Sequence, residues 1–154
     1  MKRKVVYNNY YGGFRLSIEA LIRYYKYKYP GKNLYFYRSM SDSDKVSITM
    51  KEAIAEDFRY PHFRIDFLDK DFGSKVSEDD LDDYHKHIVN RKSQNIERHD
   101  PILVRVVEEL GPETASGRCA RLAIADIGES LYRIEEYHGL ENVITPETQQ
   151  FEWL

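Results

Sequence analysis

The sequence predicts an α+β fold: an antiparallel sheet of about five or six short strands with two main helices. Three observations lead there. The apolar runs are short and bounded by turn residues. Successive candidate strands connect locally, with a hairpin signal at His138-Gly139. Only two stretches, beginning at Ser17 and at Asp100, hold a helical spacing, so strands do not alternate with helices as in a doubly wound sheet. The 154 residues fit one domain, expected over 1–154 with a polar, variable insertion around 69–99.

The elements follow in order. Lys4 to Asn8 reads as a strand because Val5, Val6 and Tyr7 favour pleated backbone. Gly12-Gly13 breaks it. Ser17 suits an N-cap, and Ile18, Leu21, Ile22 and Tyr25 recur at helical spacing until Pro30-Gly31. Leu34 to Arg38 is a second strand, and Ser41 to Lys45 a polar loop. Ile48 to Phe58 admits two readings: a helix capped by Thr49 with Ala53, Ile54 and Phe58, or a strand starting at Val46. Phe63, Ile65 and Phe67 alternate with Arg64 and Asp66, the pattern of a half-buried strand. Residues 69–99 read as the least ordered segment.

The clearest element comes next. Asp100 stands at an N-cap and Pro101 at the first helical position; Ile102, Leu103, Val106, Val107 and Leu110 form an apolar stripe that Gly111-Pro112 ends. Ala120 to Ile127 is a strand with Ala120, Leu122 and Ile124 on one face. Leu131 to Tyr137 and Leu140 to Ile144 complete the hairpin, and Phe151 and Trp153 are the rings of the tail.

Composition bounds the function. Net charge is −3. Residues 1–45 carry ten Lys/Arg and three acids, net +7, leaving −10 on the remainder. Ten of the 13 tyrosines fall in the first 60 residues. A basic, tyrosine-rich part joined to an acidic part suits a phosphate-bearing ligand, self-association or merely a solvated surface. The helix expected after Ser17 carries Tyr24, Tyr25, Tyr27 and Tyr29 on more than one face, so some of these rings are expected at a subunit interface. One cysteine, Cys119, permits neither an internal disulfide nor a cysteine zinc cage. No stretch approaches a membrane span and no apolar leader opens the chain, so export is not expected.

No nucleophile elbow, kinase signature or zinc-peptidase motif appears, so no catalytic residue, metal or cofactor is expected. Tyr10-Tyr11-Gly12-Gly13-Phe14, with Arg15, could aim backbone N–H groups at an anion or be a tight connection packed by its rings. Arg98 precedes a positive helix end, where it could hold a phosphate or pair with a nearby acid. His85-Lys86-His87 lies among acids without a placed fourth metal ligand. Arg59, Arg64, Arg91, Arg98, Arg105, Arg118 and Arg121 are scattered through the acidic region, each more often a surface residue when taken singly. Guanidinium groups grip phosphates bidentately and stack on bases. Arg98, Arg105, Arg118, Arg121 and Arg64, with Asn95, Tyr84 and Phe72, are the candidate residues of a nucleotide pocket.

Two segments carry a resemblance. One is Val5-Val6-Tyr7-Asn8, Tyr11-Gly12-Gly13-Phe14, then Leu16-Ser17 with Glu19-Ala20. The other runs from Asn95-Ile96-Glu97-Arg98 through Asp100-Pro101, Leu103-Val104 and Val106 to Gly111. It continues in Ala115-Ser116-Gly117, Ala125-Asp126-Ile127, Tyr132 to Tyr137 and Gly139-Leu140-Glu141. Together they cover somewhat under half the chain and resemble a widespread phage and prophage family. That family includes the Thoeris anti-defence sponges of the first described type.

The resemblance implies a protein that binds a cyclic ADP-ribose isomer made by a bacterial TIR enzyme and, as some members of the family do, CBASS cyclic oligonucleotides, and sequesters them unchanged. It implies a homo-oligomer, dimer or dimer-based hexamer, in the host bacterial cytoplasm. Arginines, an aromatic ring and an Asn would hold the ligand between subunits. Residues 39–94 depart most from the family pattern. Two other readings stand beside it. One is a metal-assisted hydrolase of a nucleotide signal using His85, His87 and nearby acids. The other is a nucleic-acid or host-protein binding module using the basic N-terminal third, with nucleic acid disfavoured by the acidic remainder.

Overall fold

The computed structural model describes residues 3–58, 64–91 and 93–148. Among these, seven strands form three small antiparallel sheets, in an α+β arrangement. The expected single sheet is thus divided. The chain falls into two compact units, one formed by residues up to Ala20 together with Ile96 onward, the other by Leu21–Asn95.

The first unit is built on β1 (Arg3–Asn8) and β5 (Leu122–Gly128), paired antiparallel with Val6 opposite Ile124 and Asn8 opposite Leu122. Val5 and Val6 are fully buried. Ser17 caps the helix it precedes, its Oγ accepting the Ala20 N–H at 3.0 Å. Asp100 likewise accepts the Ile102 N–H at 2.8 Å and starts α4 (Pro101–Leu110), whose Leu103, Val106 and Val107 are fully buried. Gly111 ends it, and Pro112, expected as a stop, opens the single turn α5 (Pro112–Ala115). The hairpin read at His138-Gly139 is present as β6 (Arg133–Tyr137) and β7 (Leu140–Ile144), with positive φ at both turn residues.

The second unit holds most of α1 (Ile18–Lys28) and the sheet β3-β2-β4, made of β2 (Tyr35–Ser41), β3 (Asp44–Ile48) and β4 (Arg64–Leu68). Of the two readings of Ile48 to Phe58 the helix is the one present: Thr49 closes a capping box with Glu52 over α2 (Met50–Ala55), whereas β3 starts at Asp44 rather than Val46 and ends at Ile48. Tyr24 and Tyr25 are buried within the unit, Tyr25 meeting Phe67 edge-on at 6.2 Å. Burial pushes the Tyr25 hydroxyl up to about 12. Phe63, Arg59, Phe151 and Trp153 lie outside the described residues.

Two expectations are corrected here. β4 is not half-buried: Asp66, expected to face solvent beside Arg64, is 1% exposed. Nor is residues 69–99 irregular throughout. The segment packs a short 3-10 turn (Glu78–Asp80) and α3 (Leu81–Lys86) onto the sheet, burying Val76 and Tyr84 against Tyr37 and Leu68. It also occupies both sheet edges. Val76 N–H donates to the Lys45 carbonyl on the β3 side, and Val89 N–H to the Phe67 carbonyl on the β4 side. An open edge would otherwise expose unpaired N–H and C=O groups. A few apolar residues at long range order this stretch, so no local period announces it.

Candidate functional site

Three loops of the first unit meet at the end of β1. They are the Asn9–Arg15 connection, the Gly117–Arg121 turn and the His138-Gly139 hairpin tip. Asn8 joins them. Fully buried, it spends every polar atom of its side chain: Nδ2 donates to the carbonyls of Tyr10 and Gly139, both at 2.7 Å, and Oδ1 accepts the Arg121 N–H at 2.9 Å. Asn9 N–H reaches the Arg121 carbonyl at 2.7 Å and Gly12 N–H the His138 carbonyl at 3.2 Å.

Contact between the loops leaves no room for a Cβ at Gly12, Gly117 or Gly139. A Cβ on Gly139 would lie 2.2 Å from Gly13 N, and one on Gly12 2.4 Å from the Cys119 carbonyl oxygen. The Gly12-Gly13 segment is therefore a tight connection whose Gly12 N–H is already used, not an open anion cradle.

A charged frame lies behind the loops. Arg98 grips Glu141 bidentately at 2.6 and 2.9 Å, and its guanidinium carbon sits 3.4 Å from the centre of the Phe14 ring. Glu141 is 6% exposed and also accepts the Asn8 N–H at 2.8 Å. The Arg98 carbonyl in turn accepts the Val6 N–H. Of the two roles read for Arg98, the ion pair is the one its geometry serves.

Several exposed residues of these loops are aromatic or cationic. The Arg121 guanidinium lies 4.9 Å over the Tyr10 ring. Tyr10, Tyr11 and Tyr137 are 43%, 58% and 66% exposed, and Arg15, Arg118 and Arg121 are exposed on the same loops. Glu136 is the neighbouring acid, accepting the Gly139 N–H. Such a surface offers guanidinium groups to phosphate and phenol rings to a base.

The candidate residues read from sequence divide between the units. Arg98, Arg118 and Arg121 meet at the loop cluster, whereas Arg105 lies on α4 and pairs with Glu109 at 3.3 Å. In the second unit, Arg64 and Tyr84 converge on Asp66. Tyr84 donates to Asp66 Oδ2 at 2.5 Å and Arg64 Nε to Oδ1 at 2.7 Å. That hydrogen bond raises the Arg64 guanidinium, and burial raises the Tyr84 hydroxyl, helped by Asp66. Phe72 packs on Tyr84 with centroids 5.6 Å apart. Tyr84 is fully buried, so its ring serves packing, facing Lys45 Nζ at 5.1 Å; Lys45 itself donates to Ser39 Oγ at 2.5 Å. Asn95 is exposed in the 3-10 turn Ser93–Asn95.

His85 and His87 point to separate partners, Asp42 at 3.9 Å and Asp69 at 2.7 Å. Among the described residues, no three or more His, Cys, Asp or Glu side chains gather in a way that could hold a metal ion. No described helix is long and apolar enough to cross a membrane. A surface cavity of about 150 Å³ lined by Leu131, Tyr132, Arg133, Ile144, Thr145 and Pro146 includes none of the candidate residues. It is smaller than the roughly 300 Å³ at which small-molecule pockets begin.

Sequence reading missed Asn8 and Glu141. Asn8 ends a strand of otherwise ordinary pattern, and Glu141 is one acid among many, 43 residues from Arg98. Of the exposed rings, Tyr10 and Tyr11 belong to the Gly12-Gly13 motif that the sequence singles out, although Tyr11 is exposed rather than packed, and Tyr137 is read there only as the end of a hairpin strand. No family model matches the chain, and no curated protein or solved structure matches it.

Proposed function

We propose that this chain binds and sequesters a cyclic nucleotide signal without converting it, as the phage anti-defence sponges resembled by its two ends do. The ligand class is a cyclic ADP-ribose isomer made by a TIR enzyme, extending to CBASS cyclic oligonucleotides. The setting is the bacterial cytoplasm during infection, and the working form is a homo-oligomer. One observation carries the reading: the Arg121–Tyr10 stack, presented beside Arg118 and Tyr11 on loops that Asn8 ties together. A cyclic ADP-ribose presents a pyrophosphate and an adenine, which match guanidinium groups and exposed phenol rings. Sequestration needs affinity and no acid–base chemistry.

The test is capture and release. Purified protein at micromolar concentration is mixed with cyclic ADP-ribose isomers, separated from free ligand, and heat-denatured. Recovery of intact ligand, lost in Arg121→Ala, is the expected result. A chemically altered ligand, or no capture by the unsubstituted chain, overturns the reading.

A further inference from the structure

We propose that the hairpin tip, Tyr137-His138, belongs to the same site and reads the heterocyclic base of the ligand, with His138 as a specificity-determining residue. This deepens, and rests on, the sequestration reading. Among the described residues, Cys119 and His138 are the non-glycine residues with positive φ, 62° and 50°, and both lie in the loop cluster. A two-residue hairpin with positive φ at both positions is best served by Asn-Gly. A histidine there is held at a conformational cost, and such cost concentrates at functional positions.

The side chains repay that cost in no interior contact. His138 is exposed, and its ring stands edge-on to the Tyr137 ring with centroids 4.3 Å apart at 78°. Tyr137 is itself two-thirds exposed. The pair therefore presents ring faces and imidazole nitrogens to solvent. Its backbone is fixed meanwhile: Gly12 N–H holds the His138 carbonyl, Asn8 Nδ2 holds the Gly139 carbonyl, and Gly139 has no room for a Cβ. A rigid aromatic pair with ring N–H and N: groups suits the face and edge of a purine. The arginines of the neighbouring loops suit its phosphates. The site thus divides its labour, with charge on the Gly117–Arg121 turn and base recognition on the hairpin tip.

The experiment separates the two parts. Cyclic ADP-ribose and inorganic pyrophosphate are titrated calorimetrically into the full chain and its His138→Asn and Tyr137→Ser variants, with melting temperatures recorded. Asn suits the left-handed turn, so His138→Asn is expected to melt no lower than the unsubstituted chain. Both variants should lose about tenfold or more in affinity for cyclic ADP-ribose, as loss of a base stack does, and keep their affinity for pyrophosphate. Unchanged affinity of His138→Asn for cyclic ADP-ribose overturns this assignment alone. So does an equal loss for both probes. Binding of neither probe by the unsubstituted chain overturns the assignment and the sequestration reading together.

Discussion

Replacing Glu141 with Gln should unfasten the frame behind the loop cluster. The carboxylate is 7% exposed at its side chain and holds both Arg98 nitrogens as well as the Asn8 N–H, whereas Arg98 is 21% exposed. Removing one partner of a buried ion pair costs roughly 3–5 kcal/mol because the other charge is left behind. Two features reduce that here. The guanidinium keeps its seat on the Phe14 ring, and the Gln carbonyl can still accept one N–H. The Gln amide, however, turns a donor toward a donor. The net expectation is about 2–4 kcal/mol of lost stability. At roughly 2–4 °C per kcal/mol for a chain of this size, the melting temperature should fall by about 4–16 °C. Urea unfolding followed by circular dichroism measures it. Arg98→Met strands the carboxylate instead, and the double variant should recover at least ~1.5 kcal/mol of the summed single losses. A Glu141→Gln cost under about 0.5 kcal/mol, with additive singles, would refute the claim that this pair holds the loops.

Two further outcomes follow from the same geometry. Gly139→Ala forces a Cβ to within 2.2 Å of Gly13 N at a φ of +88°, so it should cost more than the ~1–3 kcal/mol of simple left-handed strain. A melting temperature within 2–3 °C of the unsubstituted chain, where about one kcal/mol would show, would mean that hairpin and loop do not touch. The buried Tyr25 predicts alkaline lability: its hydroxyl, raised to about 12, stays protonated in the folded state while the unfolded chain begins to ionise near 10. Stability from this group is complete below about pH 10 and is lost as pH climbs toward 12. Tyr25→Phe should therefore flatten the fall in melting temperature between those pH values, and an unchanged profile would assign the lability elsewhere.

Local signals carried much of the fold. Ser17, Thr49 and Asp100 are cap residues whose side chains accept the N–H groups that a helix start leaves unpaired, so each announces its helix from three or four residues. His138-Gly139 announces a turn the same way. Residues 69–90 could not be read so. Val76, Tyr84 and Ile88 are sparse apolar residues in a mostly polar stretch, and what orders them is the face that Tyr37 and Leu68 present. Asp66 was misread for the same reason: alternation shows which residues share a face, not whether something covers it.

The site was legible by composition and illegible by geometry. Arginines and tyrosines are residue types that suit a phosphate and a base, but an arginine in the sequence does not show whether its charge is already committed. Arg98 and Arg64 are committed to Glu141 and Asp66, which leaves them to shape the protein; Arg121 lies on a ring at the surface.

That difference bears on how the proposed sequestration would reach useful affinity. Immobilising a rotamer-rich side chain on binding costs about 0.5–1.5 kcal/mol, and ordering a loop costs more. The three loops are already joined through Asn8 and the Gly12–His138 hydrogen bond, and Arg121 already rests on Tyr10. Binding there would order a few side-chain torsions rather than a backbone. The amides of Asn8, Asn9, Gly12 and Arg121 should accordingly resist hydrogen exchange in the free protein nearly as well as those of β1 and β5, where sheet pairing protects them. If they exchange orders of magnitude faster than the strands, the loops are not preorganised, and the Asn8 network contributes to the fold without preparing a binding surface.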